Sequence, residues 1–422
     1  MEKMELAEQK LRKYHQEHIL PFLQNSNEQK KEELIDQILQ MDIEEIMHLY
    51  EQALQPIQYQ NTTIEPVVSK NKETLSVEEK KTYTKLGEEV IKRGEYAVAT
   101  MAGGQGTRLG CHGPKGKFKL DVGENGKYLF EILAENLILA NNKYETVIPW
   151  YIMTSKENNQ ETVDFFMKQN YFGYPKEKIT FFTQGELPLI SKEGKLFIGE
   201  DGKIKEASDG NGGIFTSLKK HHLLEKMEKE GTKWIFIGGV DNVLLQMADP
   251  MIIGLTIAQN NSIGAKSTKK AYPSEKVGVY CKKNGKPAII EYTEFPGNMA
   301  EAVNDNGELL FGDSNIMCNL FHINCLKKIA EKKLPYHKAF KKANYLEENG
   351  NLVEVTEPNA FKFESFMFDS FDLVDNISIL CDKREENFAP VKNAEGKDSP
   401  ETAKALYEAY WNKKRKCEQN RA

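Results

Sequence analysis

The stretch that decides the fold is Tyr96–Lys119, YAVATMAGGQGTRLGCHGPKGKFK. The apolar run Ala97–Met101 predicts a buried strand. It breaks at Ala102, and Gly103, Gly104, Gly106 and Gly110 follow. Glycine lacks a Cβ and tolerates φ > 0, so such a backbone can approach a bulky anion closely. Its N–H groups can then converge on phosphate oxygens. Arg108, Lys115, Lys117 and Lys119 supply cations directly behind the loop. Strand, glycine turn and cations together are the layout of a nucleotide phosphate site. Two better-known loops do not match. The Walker pattern fails because Gly110 is followed by Cys111, and five residues on from Gly104 stands Leu109. The dinucleotide pattern also puts its third glycine on Leu109, which makes hydride transfer a weak reading. A glycine turn that merely caps a core strand is the plain alternative; Arg108 and the Pro114-Lys115 pair favour phosphate.

The chain has 422 residues, enough for two or three domains and a large core. With 40% hydrophobic and 28% charged residues it has an ordinary soluble composition. A net charge of −6 argues against a general nucleic-acid binder, so local basic clusters must do any anion binding. Six cysteines are spread without a C-x-x-C pair, which predicts free thiols in a reducing, cytoplasmic setting and no zinc site. The N-terminus has no apolar export core and no run reaches membrane-spanning length, so neither export nor membrane insertion is expected.

Outward from the loop, residues 1–60 read as an N-terminal helical segment. Ile35, Leu39, Ile43, Ile46 and Leu49 recur at helical steps, and an earlier helix is expected through Leu6–Leu20, before Pro21. Residues Gln58–Thr74 read as a connector, and Ser76 as the N-cap of a helix to Arg93, with Glu79 three residues on. Tyr128–Ala140 and Asn158–Lys168 predict helices; Val147–Met153, Ile179–Thr183 and Trp234–Val240 predict strands. This alternation specifies an α/β, doubly wound Rossmann-like sheet with ligands beyond the carboxyl ends of its strands. The hydrophobic alternation from Val277 to Ile290, around Asn284-Gly285, predicts a β-hairpin. The expected partition is 1–60 helical, 61–375 catalytic and 376–422 a short C-terminal segment.

Gln184 follows the strand ITFFT, and its amide offers the donor and acceptor that a pyrimidine edge needs. Asp241 ends the strand WIFIGGV, where a carboxylate suits Mg²⁺ bound to phosphates, although an Asp there can also simply cap a helix. A second glycine cluster, DGNGGIF, displays Asn211 between Gly210 and Gly212. The string AGGQGTRLG followed by PKG resembles the nucleoside-triphosphate sugar-1-phosphate nucleotidyltransferases, and most of all the eukaryotic-type UDP-N-acetylglucosamine pyrophosphorylases. The likeness runs from about Tyr96 to Ala394, through QGELP, GNGG and FAPVKNA.

That resemblance implies a mixed sheet of the nucleotide-diphospho-sugar transferase type. It puts Ala102, Gly103, Gly104, Gln184, Gly210 and Asp241 on the nucleotide, with Asp241 on the metal. It puts Asn211, Gly278, Glu291, Tyr292 and Asn315 around the sugar, and Phe366 and Phe368 near an N-acetyl methyl. It makes Lys392 a second phosphate-binding lysine beside Arg108 and Lys115. Glucose-specific relatives typically carry histidine in the place of Asn211. The implied reaction is UTP plus N-acetylglucosamine 1-phosphate giving UDP-N-acetylglucosamine and pyrophosphate, with Mg²⁺. The alternatives are the same chemistry on glucose or galactose 1-phosphate, or a non-catalytic nucleotide-sugar sensor. A monomer or weak homo-oligomer is expected, with no nucleic-acid or membrane partner.

Overall fold

The computed structural model describes residues 2–55 and 62–419. It divides the chain into two compact units, one of Met1–Gln60, Gly185–Gly213 and Leu334–Met367, the other of Asn61–Gln184, Ile214–Lys333 and Phe368–Ala422.

The larger unit is built on a mixed sheet with strand order Lys70–Asn71, Ser378–Asp382, Ile263–Lys269, Asp313–His322, Trp234–Gly239, Tyr96–Met101, Trp150–Thr154 and Ile179–Thr183. Along this order every pairing is parallel except the two made by Asp313–His322. The strands on the glycine-loop side are nearly continuous apolar runs, as a sheet covered on both faces requires. The strand expected from Val147 begins three residues later, at Trp150, because Pro149 has no N–H to donate to a ladder. Ser76 and Glu79 form the expected capping box of the Val77–Lys92 helix. The hairpin also forms, Val279–Lys283 against Lys286–Ile290, with Asn284 and Gly285 both at positive φ in the turn.

In the smaller unit the N-terminal stripe divides into two helices, Glu28–Gln40 and Ile43–Leu54. Asp42 breaks it by capping the second, its Oδ1 accepting from Glu45 N–H at 3.0 Å. The expected helix through Leu20 stops at Lys13, and Pro21 instead opens Leu20–Asn25, where its missing N–H costs nothing. These helices share a core with Ile190, Leu196, Ile198, Ile204 and Phe363. Two glutamine side chains fix the join. Gln16 donates to Gly194 O (2.8 Å) and accepts from Leu196 N–H (2.9 Å); Gln37 does both at Ile204, each at 2.8 Å.

The division therefore differs from three consecutive segments. Residues 1–60 do not stand apart, since their apolar face is completed by segments 185–213 and 334–367. Residues 376–422 are not a separate tail, since Ser378–Asp382 is an interior strand of the large sheet. The connector expected from Gln58 carries short strands at Ile64–Pro66 and Lys70–Asn71, and its part at 58–61 lies outside the described residues.

Candidate active site

Four adjacent parallel strands end on one edge of the large sheet, and each delivers a candidate residue. Met101 pairs with Gly239 and with Met153, and Thr154 with Thr183. Ala102–Gly104, Asp241, Asn158 and Gln184 follow directly. Ala102 N–H donates to Met153 O (2.7 Å) and Gln184 N–H to Thr154 O (2.8 Å), so both are locked to the sheet.

The loop itself is cross-braced. Gly106 N–H donates to Gly113 O (2.9 Å), Lys115 N–H to Gly104 O (3.0 Å), and Gln105 bridges Pro114. Positive φ occurs at Gly110 and Gly113, and not at Gly103, Gly104 or Gly106. Of the last three, Gly103 and Gly106 are glycine for space. A Cβ on Gly103 would meet the Gln184 amide at 2.7–2.9 Å, and one on Gly106 would meet Cys111 Cβ at 2.9 Å. A Cβ on Gly104 meets nothing within 4 Å.

Lys115 ion-pairs with Asp241, Nζ to Oδ2 3.3 Å, both side chains partly exposed. Lys117 pairs with Glu161 instead, while Arg108 and Lys119 are exposed. Lys392 is also exposed, and its position is tied to Asp241 through the backbone: Val391 N–H donates to Asp241 O at 2.8 Å. The structure thus brings together Ala102, Gly103, Gly104, Lys115, Gln184, Asp241 and the segment bearing Lys392 in the larger unit.

A second group in that unit lies beside the hairpin. Gly278 is buried against Glu291, whose Oε1 stands 2.6 Å from where a Cβ would be. Asn315 N–H donates to Gly278 O at 2.8 Å, and Asn315 Oδ1 accepts from Met317 N–H (3.0 Å) and Tyr280 OH (3.3 Å). Burial pushes the Tyr280 phenol well above its ordinary pKa, so it stays a donor. Tyr292 is exposed, and Phe368 is half-buried.

In the smaller unit Gly210 takes φ 91°, and a Cβ there would stand 2.2 Å from Ser365 O. Gly212 N–H donates to that carbonyl (2.9 Å), and Ser365 N–H to Asp209 O (2.7 Å). Asn211 Oδ1 accepts from Met367 N–H at 2.7 Å. Phe366 is half-buried, its ring 4.8 Å from that of His337. The GNGG turn thus holds the aromatic segment by backbone contact, a use the sequence did not disclose.

The residue that sequence reasoning passed over is Asn158. It is fully buried, and its amide donates to Ala102 O (3.3 Å) and Gly103 O (3.2 Å), pinning the start of the glycine loop. A signal was present in Ser155-x-x-Asn158, a reciprocal cap in which Ser155 N–H donates to Asn158 Oδ1 (2.9 Å) and Asn158 N–H to Ser155 Oγ (3.1 Å).

Residues 43–404 match the family model described as UTP–glucose-1-phosphate uridylyltransferase. UDP-N-acetylglucosamine diphosphorylase 2 of Arabidopsis thaliana is 36% identical over 94% of this chain and 82% of its own length. The UDP-N-acetylglucosamine pyrophosphorylase of Saccharomyces cerevisiae is 40% identical over 77% of this chain and 70% of its own. The crystal structure of the Trypanosoma brucei uridine diphosphate N-acetylglucosamine pyrophosphorylase superposes with a TM-score of 0.80 at 29% identity, covering 96% of this chain and 84% of that one. A strand-end glycine loop and likeness along nearly the whole chain agree: the chain belongs to the UTP–glucose-1-phosphate uridylyltransferase family of nucleotidyltransferases, among its UDP-N-acetylglucosamine pyrophosphorylases.

Proposed function

We propose that the chain transfers uridylyl from UTP to N-acetylglucosamine 1-phosphate, forming UDP-N-acetylglucosamine and releasing pyrophosphate. The observation that carries this reading is the meeting of the glycine loop, Gln184 and the Lys115–Asp241 pair at one sheet edge. An oxygen of the sugar phosphate attacks the α-phosphorus of UTP, and the α–β bridging oxygen leaves with pyrophosphate. A phosphate dianion is already nucleophilic, so no general base is required. Rate comes from positioning and charge neutralisation.

In this reading the N–H groups of 102–104 and Arg108 hold the triphosphate, and Gln184 reads the uracil edge. Lys115 faces the reacting phosphates, and Lys392 holds the sugar phosphate. Gly210 lies on the uridine. Asn211, Gly278, Glu291, Tyr292 and Asn315 serve the sugar, and Phe366 and Phe368 its acetyl methyl. Among the described residues no three His, Cys, Asp or Glu side chains gather into a protein-only metal cage. Asp241 alone, partly exposed beside the loop, fits a cation that keeps its waters and leans on substrate phosphates, as Mg²⁺ does. Bound there, Mg²⁺ would neutralise phosphate charge.

The reading includes a cytoplasmic monomer or weak homo-oligomer acting without nucleic acid or membrane. Among the described residues no helix is long and apolar enough to cross a membrane, and the cysteines are free. The test is pyrophosphate release from UTP with N-acetylglucosamine 1-phosphate, glucose 1-phosphate, or neither. Faster release with the acetylated sugar is expected. Faster release with glucose 1-phosphate would reassign the substrate, and none with any sugar would leave a sensor.

A further inference from the structure

Lys266 is 1% exposed in the middle of the large sheet. The ladder of Ile263–Lys269 with Asp313–His322 shifts register between Ala265 and Ser267, where Lys266 alone stands opposite Ile316, Met317 and Cys318, so the extra residues lie in the partner strand. Lys266 Nζ donates to Asp249 Oδ2 (2.6 Å) and Asn387 Oδ1 (2.5 Å) and lies 3.8 Å from Asp382 Oδ2. A buried ion pair of this kind seldom repays its desolvation in stability alone.

Its polar contacts lead to the site. Asn387 Nδ2 donates to Lys383 O (2.8 Å), and Asn387 O accepts from Asn242 Nδ2 (2.7 Å). Asn242, 3% exposed, accepts at Oδ1 from Ala389 N–H (2.9 Å) and Leu244 N–H (3.2 Å). Val243 N–H donates to Ala389 O (3.1 Å), and Val391 N–H to Asp241 O (2.8 Å). The Asn242 amide and two backbone bonds therefore zip 387–391 onto 241–243, leaving Asp241 and Lys392 at the zipper's open end.

We infer that Asn242, braced through Asn387 on the buried Lys266–Asp249 pair, is a positioning residue that sets Lys392 relative to Asp241. This rests on the role proposed for Lys392 in uridylyl transfer. Asn242 touches no substrate; it acts through the segment it holds.

The test combines N242A, N242D, K392A and the double variant N242A/K392A with hydrogen exchange of peptides spanning 385–395. N242A is expected to lower kcat about 10- to 100-fold, the scale of a misplacement near 1 Å, with the KM for UTP little changed. N242D keeps the acceptor for Ala389 and Leu244 but turns a carboxylate oxygen onto Asn387 O, and is expected to fall at least as far. In the K392A background the same N242A change is expected to cost less than about threefold, because coupled sites do not add. Exchange in 385–395 is expected to quicken in N242A. Additive losses, wild-type kcat in N242A, or unchanged exchange would overturn the assignment. Should N242A not fold, N242D alone decides by the same comparison. A wild-type protein that releases no pyrophosphate would instead sink the proposed function, and the exchange measurement would still report whether Asn242 holds the segment.

Discussion

Replacing Gly103 with alanine tests the nucleotide reading most directly. The backbone at Gly103 is not left-handed, so alanine meets no φ penalty. The new Cβ, however, would stand 2.7 Å from Gln184 Oε1, about 0.7 Å inside ordinary contact. The loop cannot retreat, because Asn158 grips the carbonyls of Ala102 and Gly103. Gln184 cannot retreat as a whole, because its N–H is tied to Thr154 O. The amide of Gln184 must therefore turn away. Misaligning two hydrogen bonds to a base edge costs about 1 kcal/mol each, or about 30-fold in affinity. Steady-state kinetics are expected to show kcat/KM for UTP reduced by about that factor in G103A. Q184A should act alike, and G103A/Q184A should be no worse than Q184A. G104A is the control. Its Cβ enters open space, so thermal stability should be unchanged, while the KM for UTP rises about tenfold if phosphate occupies that space. Wild-type kcat/KM in both glycine variants would refute the placement of the nucleotide.

Lys115→Ala should reduce turnover about 100-fold or more, the scale of losing one preorganised charge, with little change in melting temperature; near-normal turnover would remove Lys115 from the chemistry. Asn211→Ala deletes the acceptor of Met367 N–H and should cost about 1 kcal/mol of stability, whereas N211D, which keeps an acceptor, should melt nearer wild type. Burial opposes the charge on Asp249, yet attraction to Lys266 and Lys72 with hydrogen bonds from Lys266 and Met251 N–H outweighs it and holds the carboxyl at about 2. A carboxyl so depressed stabilises the fold above its unfolded value near 3.9, and the contribution, about 2 kcal/mol, is lost as pH falls from about 4 towards 2. Urea midpoints measured across that window should fall less steeply in D249N; equal slopes would contradict this. Burial pushes the thiols of Cys318 and Cys381 up to about 12 and those of Cys281 and Cys325 to about 11. A thiol reagent should thus modify only Cys111 and Cys417 in the native protein, and UTP should protect Cys111 alone.

Local signals carried much of the fold. The apolar run Ala97–Met101, the Ser76–Glu79 box and the Asn284-Gly285 turn act over a few residues, and the chain obeyed each. The glycine loop was legible for the same reason, since crowding at Gly103 and Gly106 leaves a mark in composition. Partners distant in sequence were not legible. Nothing near Gln16 or Gln37 announces that each will pair with the backbone of 194–204, so the surface on which the N-terminal helices pack was not legible. Lys266 reads as an ordinary strand lysine until the fold sets Asp249 and Asn387, 17 and 121 residues away, against its ammonium. The sequence by itself determined that a glycine-rich loop with cations behind it follows a buried strand, and its likeness to known relatives pointed to uridylyl transfer to an acetylated amino sugar. Only tertiary structure decided which residues brace that loop and join Asp241 to the Lys392 segment, because such pairings depend on strand order and register, which no short stretch encodes.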